Sequence, residues 1–261
     1  MDNMELIRTR KSVRTFDGEP VRDADREALR AFLPTIRNPY DIPVEFVLLD
    51  AKEHGLSSPV LQGETLYIAG KVAKVPHCEE AFGFAFEELV LYAWSLGIGT
   101  TWIGGTMKRE LFERAAGLQD GEIMPCISPL GYPAKKRSLK ESAMRTGLRA
   151  DKRLAESELF FENDFATPLH ETNTAVQTAI EAVRLAPSAV NKQPWRIVKC
   201  GKSYHFFEKH SLAAAAWDVQ KVDLGIALCH FMKLAGGTLS VSAPGIAAAK
   251  DMEYIATITV S

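Results

Sequence analysis

Between Glu79 and Leu96 the chain places apolar side chains on most sides of a helix, with Phe82, Ala85, Phe86, Leu89, Val90, Ala93 and Trp94 recurring at three- and four-residue spacing. A helix this broadly apolar has to be covered on most sides, so it belongs inside a larger arrangement of elements. The run Gly97-Ile98-Gly99-Thr100-Thr101-Trp102-Ile103-Gly104-Gly105 ends it, with four glycines in nine residues where backbone can approach a partner closely. A chain of 261 residues is long enough to supply that cover.

Around this helix the pattern predicts a short basic helix or helix end over Leu6–Thr15, a turn at Asp17–Pro20, an amphipathic helix over Arg22–Phe32 and a strand over Val44–Asp50. One or two strands follow in Val60–Val75, interrupted near Gly63 and Gly70. A helix spans Lys108–Ala116, and a strand lies within Glu122–Gly131. The polar, weakly periodic stretch Ser138–His170 reads as a connecting arm. The order then restarts, with a helix (Ala175–Leu185), a proline break, strands (Trp195–Cys200 and Tyr204–Phe207), a second buried helix (Val222–Leu234), a glycine pair and a final strand (Tyr254–Val260). Leu33-Pro34-Thr35-Ile36-Arg37-Asn38 stands in its half where Ala186-Pro187-Ser188-Ala189-Val190-Asn191 stands in the other. We therefore expect two half-repeats in one chain: residues 1–150, a connecting arm over 151–170, and 171–261.

A net charge of -2 gives no electrostatic reason to expect nucleic acid or an anionic membrane as partner. The start is too densely charged for a signal peptide, and no apolar run approaches membrane-spanning length, so a cytoplasmic protein is expected. Cys78, Cys126, Cys200 and Cys229 are scattered without a C-x-x-C pair, which favours buried thiols over a disulfide framework. His77, His205, His210 and His230 form no ligand set, and no metal is expected.

Two stretches remain. Arg10-Lys11-Ser12-Val13-Arg14 is either a solvated basic face or a phosphate clamp, because guanidinium forks grip phosphate oxygens in pairs and a hydroxyl adds a short bond. Lys135-Lys136-Arg137 is a second basic group that could share the same phosphate. Pro187-Ser188-Ala189-Val190-Asn191 in isolation is a helix stop, its proline ending the helix and its serine and asparagine bonding local backbone. Trp102 can belong to the core or to a binding site.

Together these residues resemble the FMN-dependent nitroreductase family. Arg10–Arg14 is similar to its R-R-S-[VI]-R motif, Ala186–Trp195 to its A-P-S-x-x-N-x-Q-P-W motif, Gly97–Gly105 to its glycine loop, and Gly131-Tyr132-Pro133 with Lys135 and Arg137 to its G-Y-P…K-x-R ending. The order departs from the family, because the early Pro-Ser-x-x-Asn position holds only the worn Pro34–Asn38 and the good copy comes late. The resemblance therefore implies an internally duplicated, single-chain pseudo-dimer, a monomer or weak homodimer, with an α+β three-layer α-β-α sandwich and one flavin site. It implies non-covalent FMN, with Arg10, Ser12, Arg14, Lys135 and Arg137 at its phosphate and pyrimidine edge, and Pro187, Ser188, Ala189 and Asn191 reaching its ring. Trp102, Ile103, Gly104 and Gly105 would line it, with the Gly104 N–H near flavin N5; Lys11 lies within the motif and, like Lys136, reads as a solvated neighbour. NAD(P)H as reductant and a small nitroaromatic or quinone acceptor follow from the same resemblance, with reductive dehalogenation, flavin breakdown or a non-enzymatic flavin sensor as alternatives.

Overall fold

The computed structural model describes residues 1–213 and 216–261. In chain order α1 (Asn3–Thr9), α2 (Asp23–Phe32) and a 3-10 turn (Leu33–Thr35) precede β1 (Val44–Asp50) and β2 (Leu66–Ala73). Then come α3 (Cys78–Ser95), α4 (Arg109–Ala115), β3 (Glu122–Ile123), β4 (Ile127–Leu130) and α5 (Leu139–Gly147). The remainder runs α6 (Glu156–Leu159), β5 (Phe160–Glu162), α7 (Thr174–Leu185), a second 3-10 turn (Ala189–Asn191), β6 (Trp195–Cys200), β7 (Ser203–Lys209), α8 (Val219–Ala235), β8 (Thr238–Ser240) and β9 (Met252–Thr259). Helices and two sheets make this an α+β fold. Among the described residues no helix is long and apolar enough to cross a membrane.

The chain divides into two compact units. The early unit holds Thr9–Cys78 and Ala85–Arg149; the late unit holds Met1–Arg8, Glu79–Phe84 and Ala150–Ser261. In the early unit β2 pairs antiparallel with β1 along one edge and with β3 and β4 along the other. Its residues from Leu66 to Val72 are all buried, as expected of a strand covered on both faces. Leu49, Tyr67, Ile103, Phe112, Met124 and Ile127 form a core there, with Phe112 edge-on to Tyr67 at 5.0 Å. In the late unit the sheet runs β5-β6-β7-β9-β8, parallel between β5 and β6 and antiparallel elsewhere. Phe206 of β7 meets Phe231 of α8 at 5.6 Å, and α8 is buried without a break from Val222 to Phe231.

Three expectations change. Leu6–Thr15 is not one helix: α1 stops at Thr9 and the basic motif continues as extended chain, because its amides pair with other segments instead of with the preceding turn. Gly70 does not interrupt a strand but sits inside β2, paired with Phe46, whereas Gly63 adopts φ +79 beside the Phe16 carbonyl and marks a turn. The polar stretch read as a connecting arm contains α5, α6 and β5, the last a full member of the late sheet. Elements of three and four residues are too short to print a period on the sequence.

Glycines explain how α3 and α8 fit in the late unit. A Cβ on Gly83 would stand 2.0 Å from the Val222 carbonyl oxygen, and one on Gly225 would stand 2.2 Å from that of Glu80. The two helices therefore meet backbone against backbone. Alanine ordinarily stabilises a helix by about 1 kcal/mol over glycine, but here the clash decides the sign. Gly83→Ala is expected to destabilise the protein by about 1–3 kcal/mol in urea unfolding. Gly147→Ala, at a helical glycine with open space around it, is expected to be neutral or slightly stabilising.

Candidate functional site

In the early unit the basic motif is woven between three segments. Val13 N–H donates to the Thr100 carbonyl at 2.8 Å, Phe16 N–H to Gln62 at 2.8 Å, and Gln62 N–H returns to the Arg14 carbonyl at 2.9 Å. Ala134 N–H adds a bond to the Thr15 carbonyl at 3.0 Å. These bonds hold the motif extended, so side chains alternate between two faces. Val13 and Thr15 turn into the core, while Arg10, Ser12 and Arg14 share the opposite face. Glycine lets neighbouring chain come this close: a Cβ on Gly99 would lie 2.8 Å from Val13, and one on Gly131 2.8 Å from Phe16.

Arg10 is the most unusual residue on that face. Its side chain is 6% exposed, yet Nε and Nη1 are buried without a hydrogen-bond acceptor. Its nearest negative charge is Glu87 Oε1 on α3, 3.9 Å away and fully buried. Trp102 donates its indole N–H to the other oxygen of Glu87 at 3.3 Å and packs on Phe86 at 4.7 Å. Burial lowers the Arg10 pKa, Glu87 opposes that shift, and Arg145 adds to it. Arg14 is likewise lowered by burial, opposed by Glu141 and pushed further down by Arg145. Arginine nevertheless keeps its charge in proteins, so positive charge accumulates here.

Residues Glu141 and Arg145, four apart, share one face of α5. Ser138 caps that helix by accepting the Glu141 N–H at 3.1 Å. Glu141 is 3% exposed, receives the Thr15 hydroxyl at 2.7 Å and lies 3.7 Å from Arg137 Nε. Arg10, Arg14 and Arg137 thus gather at two buried carboxylates, Glu87 and Glu141, with the charge of Arg145 acting on Arg10 and Arg14. The buried Arg10 donors without an acceptor, Nε and Nη1, suit an anionic group such as a phosphate.

The glycine loop is fixed beside β4. Ile103 and Ile127 exchange both backbone bonds, at 2.9 and 3.0 Å, and Thr101 N–H donates to Ser128 Oγ at 3.0 Å. Arg109 ties the loop further by donating to the carbonyls of Gly104 and Met124 at 2.5 and 2.6 Å. Gly104 and Gly105 are exposed, and so are Lys135 and Lys136. Lys11 is exposed too, with its ammonium 6.0 Å from the Trp94 ring centre.

In the late unit Pro187 follows the end of α7, and the next residues make a strained loop. Val190, Asn191 and Gln193 all have positive φ, at 43, 58 and 50 degrees. For β-branched Val190 this region is strongly disfavoured, and such strain persists only where surroundings impose it. Here they do. Asp223 on α8 accepts the Ala189 N–H at 3.0 Å on both oxygens, and Ser188 Oγ accepts from Gln193 N–H at 2.9 Å. Asn191 is tied to this scaffold as well, donating to the Lys152 carbonyl at 3.0 Å and accepting from Arg153 at 3.4 Å. The worn copy at Pro34–Asn38 is closed on itself: Arg37 donates to the carbonyls of Pro34 and Ile36, each at 2.8 Å, and Asn38 to that of Ile42 at 2.6 Å.

The structure therefore brings Arg10, Ser12 and Arg14 onto one face, links Trp102 to Arg10 through Glu87, and links Arg137 to the motif through Glu141. Pro187–Asn191 belongs to the late unit. Sequence reasoning missed Glu87, Glu141, Arg145 and Asp223. The Ser138-x-x-Glu141 spacing was the available signal for the middle pair, since it announces a helix start; a carboxylate inside a broadly apolar helix was the signal for Glu87 and Asp223.

Residues 2–235 match the family model described as "Putative TM nitroreductase". A crystal structure from Thermotoga maritima described as "a putative nitroreductase" is similar over all of this chain and 94% of its own, with 21% identity and a TM-score of 0.66. A nitroreductase family protein from Clostridium difficile 630 aligns over 60% of this chain and 96% of its own at 16% identity, TM-score 0.47. An FMN-dependent nitroreductase from Clostridium difficile R20291 aligns over 51% and 88% at 17% identity, TM-score 0.44. Comparison with curated proteins finds no match.

The buried Asp223 gives a pH test. Burial raises its pKa well above the ordinary value, with the Ala189 N–H acting against that. A carboxyl that holds its proton more tightly when folded contributes stability that is complete below about pH 4 and fades as pH rises. Relative to Asp223→Asn, the wild-type melting temperature is therefore expected to fall as pH climbs above about 4; parallel curves would contradict a raised pKa.

Proposed function

Since the chain belongs to the family described as Putative TM nitroreductase, we propose that it is an FMN-dependent oxidoreductase that takes electrons from NAD(P)H and passes them to a small nitroaromatic or quinone acceptor. The observation that carries this reading is the buried, acceptor-less Arg10 guanidinium on the same face as Ser12 and Arg14. Bound flavin would supply hydride exchange at its N5.

The chain's own residues bind and orient. Arg10, Ser12 and Arg14, with Lys135 and Arg137, hold the phosphate and the pyrimidine edge; Arg145 joins them because its charge already acts on both Arg10 and Arg14. Glu87 and Glu141 keep these arginines in place when the anion is absent. The Gly104 amide is the donor assigned to the N5 edge, between Trp102, Ile103 and Gly105. For Pro187, Ser188, Ala189 and Asn191 a share in ring binding rests on their motif; the strain and anchoring of that loop are what a preorganised contact surface requires. One chain then acts as a pseudo-dimer with one live site, Pro34–Asn38 being the lost counterpart. Cys78, Cys126, Cys200 and Cys229 are not disulfide-bonded, which is consistent with a reducing cytoplasm.

Flavin titration checks this. One FMN per chain is expected, bleached anaerobically by NAD(P)H and reoxidised by a quinone; a bound flavin inert to both nucleotides would point to a flavin store, and no FMN binding would end the proposal. Arg10→Ala and Arg14→Ala are each expected to weaken FMN binding by about 1.5–3 kcal/mol, the scale of a hydrogen bond to a charged group. Arg37→Ala, whose guanidinium is turned onto its own carbonyls, is expected to leave affinity unchanged.

A further inference from the structure

At the exit of β7, in the late unit, three electron-pair donors converge. Glu208 is the penultimate residue of the strand, His210 follows it, and Asp218 caps the N-terminus of α8. One donor atom from each lies within 4.8 Å of the others. Glu208 is fully buried between its strand partners Trp195 and Glu253, yet neither carboxylate oxygen has a hydrogen-bond donor. His210 Nδ1 comes to 2.8 Å from Glu208 Oε1 without hydrogen-bond alignment. The two atoms face each other as ligands around a shared cation do.

We propose that Glu208, His210 and Asp218 form a divalent cation site for which zinc is the best match. An imidazole nitrogen with two carboxylate oxygens is a donor set suited to zinc, which takes nitrogen and oxygen at about 2.0–2.2 Å and leaves a fourth position for water. Donors around one zinc stand about 3–4 Å apart, so the observed spread closes with a small shift of one side chain.

The surroundings support a ligand role. Metal-binding histidines commonly give their second ring nitrogen to a carboxylate, which fixes the ring and frees the other nitrogen for the metal. His210 Nε2 lies 3.5 Å from Glu253 Oε2, and Lys221 holds the other oxygen of Glu253 at 2.8 Å. Lys221 is thereby engaged away from Glu208. The backbone beyond His210 is fixed by Gln220, fully buried on α8, whose side-chain oxygen accepts the Ser211 and Leu212 N–H groups at 2.8 and 2.7 Å while its nitrogen donates to the Lys209 carbonyl at 3.2 Å. Asp218 is oriented by the Gln220 N–H at 2.8 Å. The sequence does not mark these residues as a ligand set, because His210 is isolated and its carboxylates stand two residues before it and eight after it, without a familiar ligand spacing.

The test is zinc titration of the full-length protein after removal of metal by a chelator, read by calorimetry and repeated with cobalt, whose visible bands report nitrogen and oxygen ligation. One zinc per chain is expected. His210→Ala and Asp218→Asn should each weaken binding at least about tenfold, and Glu253→Gln should give a loss of about 10–100-fold. Cys200→Ser, at a partly exposed thiol elsewhere, should bind zinc like the wild type. Glu208→Gln should also lose the site; where that buried variant fails to fold, the His210 and Asp218 variants decide. Absence of zinc binding, or binding unchanged in both of those variants, overturns the proposal.

Discussion

The contact between α3 and α8 constrains much of the late unit. Where Gly83 and Gly225 face the other helix, no side chain separates the backbones. Close approach fixes the rotation of each helix about its axis, and α8 then presents Asp223 to the Ala189 amide. Residues Glu79–Phe84 of α3 belong to this unit, while Ala85–Ser95 of the same helix belong to the early unit and carry Glu87. An apolar surface on most sides is the sequence signature of a helix that is covered on most sides.

Charge governs the early unit. Desolvating a guanidinium is costly unless opposite charge or good acceptors meet it, and Glu87 at 3.9 Å meets Arg10 only in part. A closer pair would satisfy Arg10 internally, whereas no carboxylate at all would leave its buried charge uncompensated. Glu141 plays the equivalent part for Arg137 and Arg14. The extended backbone is what aims these donors together, since only a two-residue alternation puts residues 10, 12 and 14 on one face.

Much of this was legible beforehand. The two broadly apolar helices, the strands at Val44–Asp50 and Trp195–Cys200, and the proline break at Pro187 all follow from periodicity and proline chemistry, and the structure has each of them. The extended form of Arg10–Thr15 was not legible, because its basic residues suit a helix and its strand-like pairing depends on Gln62, Thr100 and Ala134, which are distant in the chain. Glu141 and Arg145 were hidden in a stretch whose polarity resembles a linker, although α5 is partly turned toward the motif by the Thr15 bond. Buried carboxylates are the general blind spot, since composition does not say which charged residue will be taken inside.

The discontinuous make-up of the late unit also bears on how the protein comes into being. Its first eight residues and the start of α3 leave the ribosome long before α8, and Asn3 donates to Lys233 across 230 positions of chain. Contacts so distant in sequence close slowly, and unpaired apolar surface meanwhile attracts other chains. The early unit, by contrast, is complete once Arg149 has emerged. During synthesis the nascent chain therefore passes through a stage in which the arginine motif is assembled while α3 still waits for its glycine partner, and that interval is when chaperones would matter most.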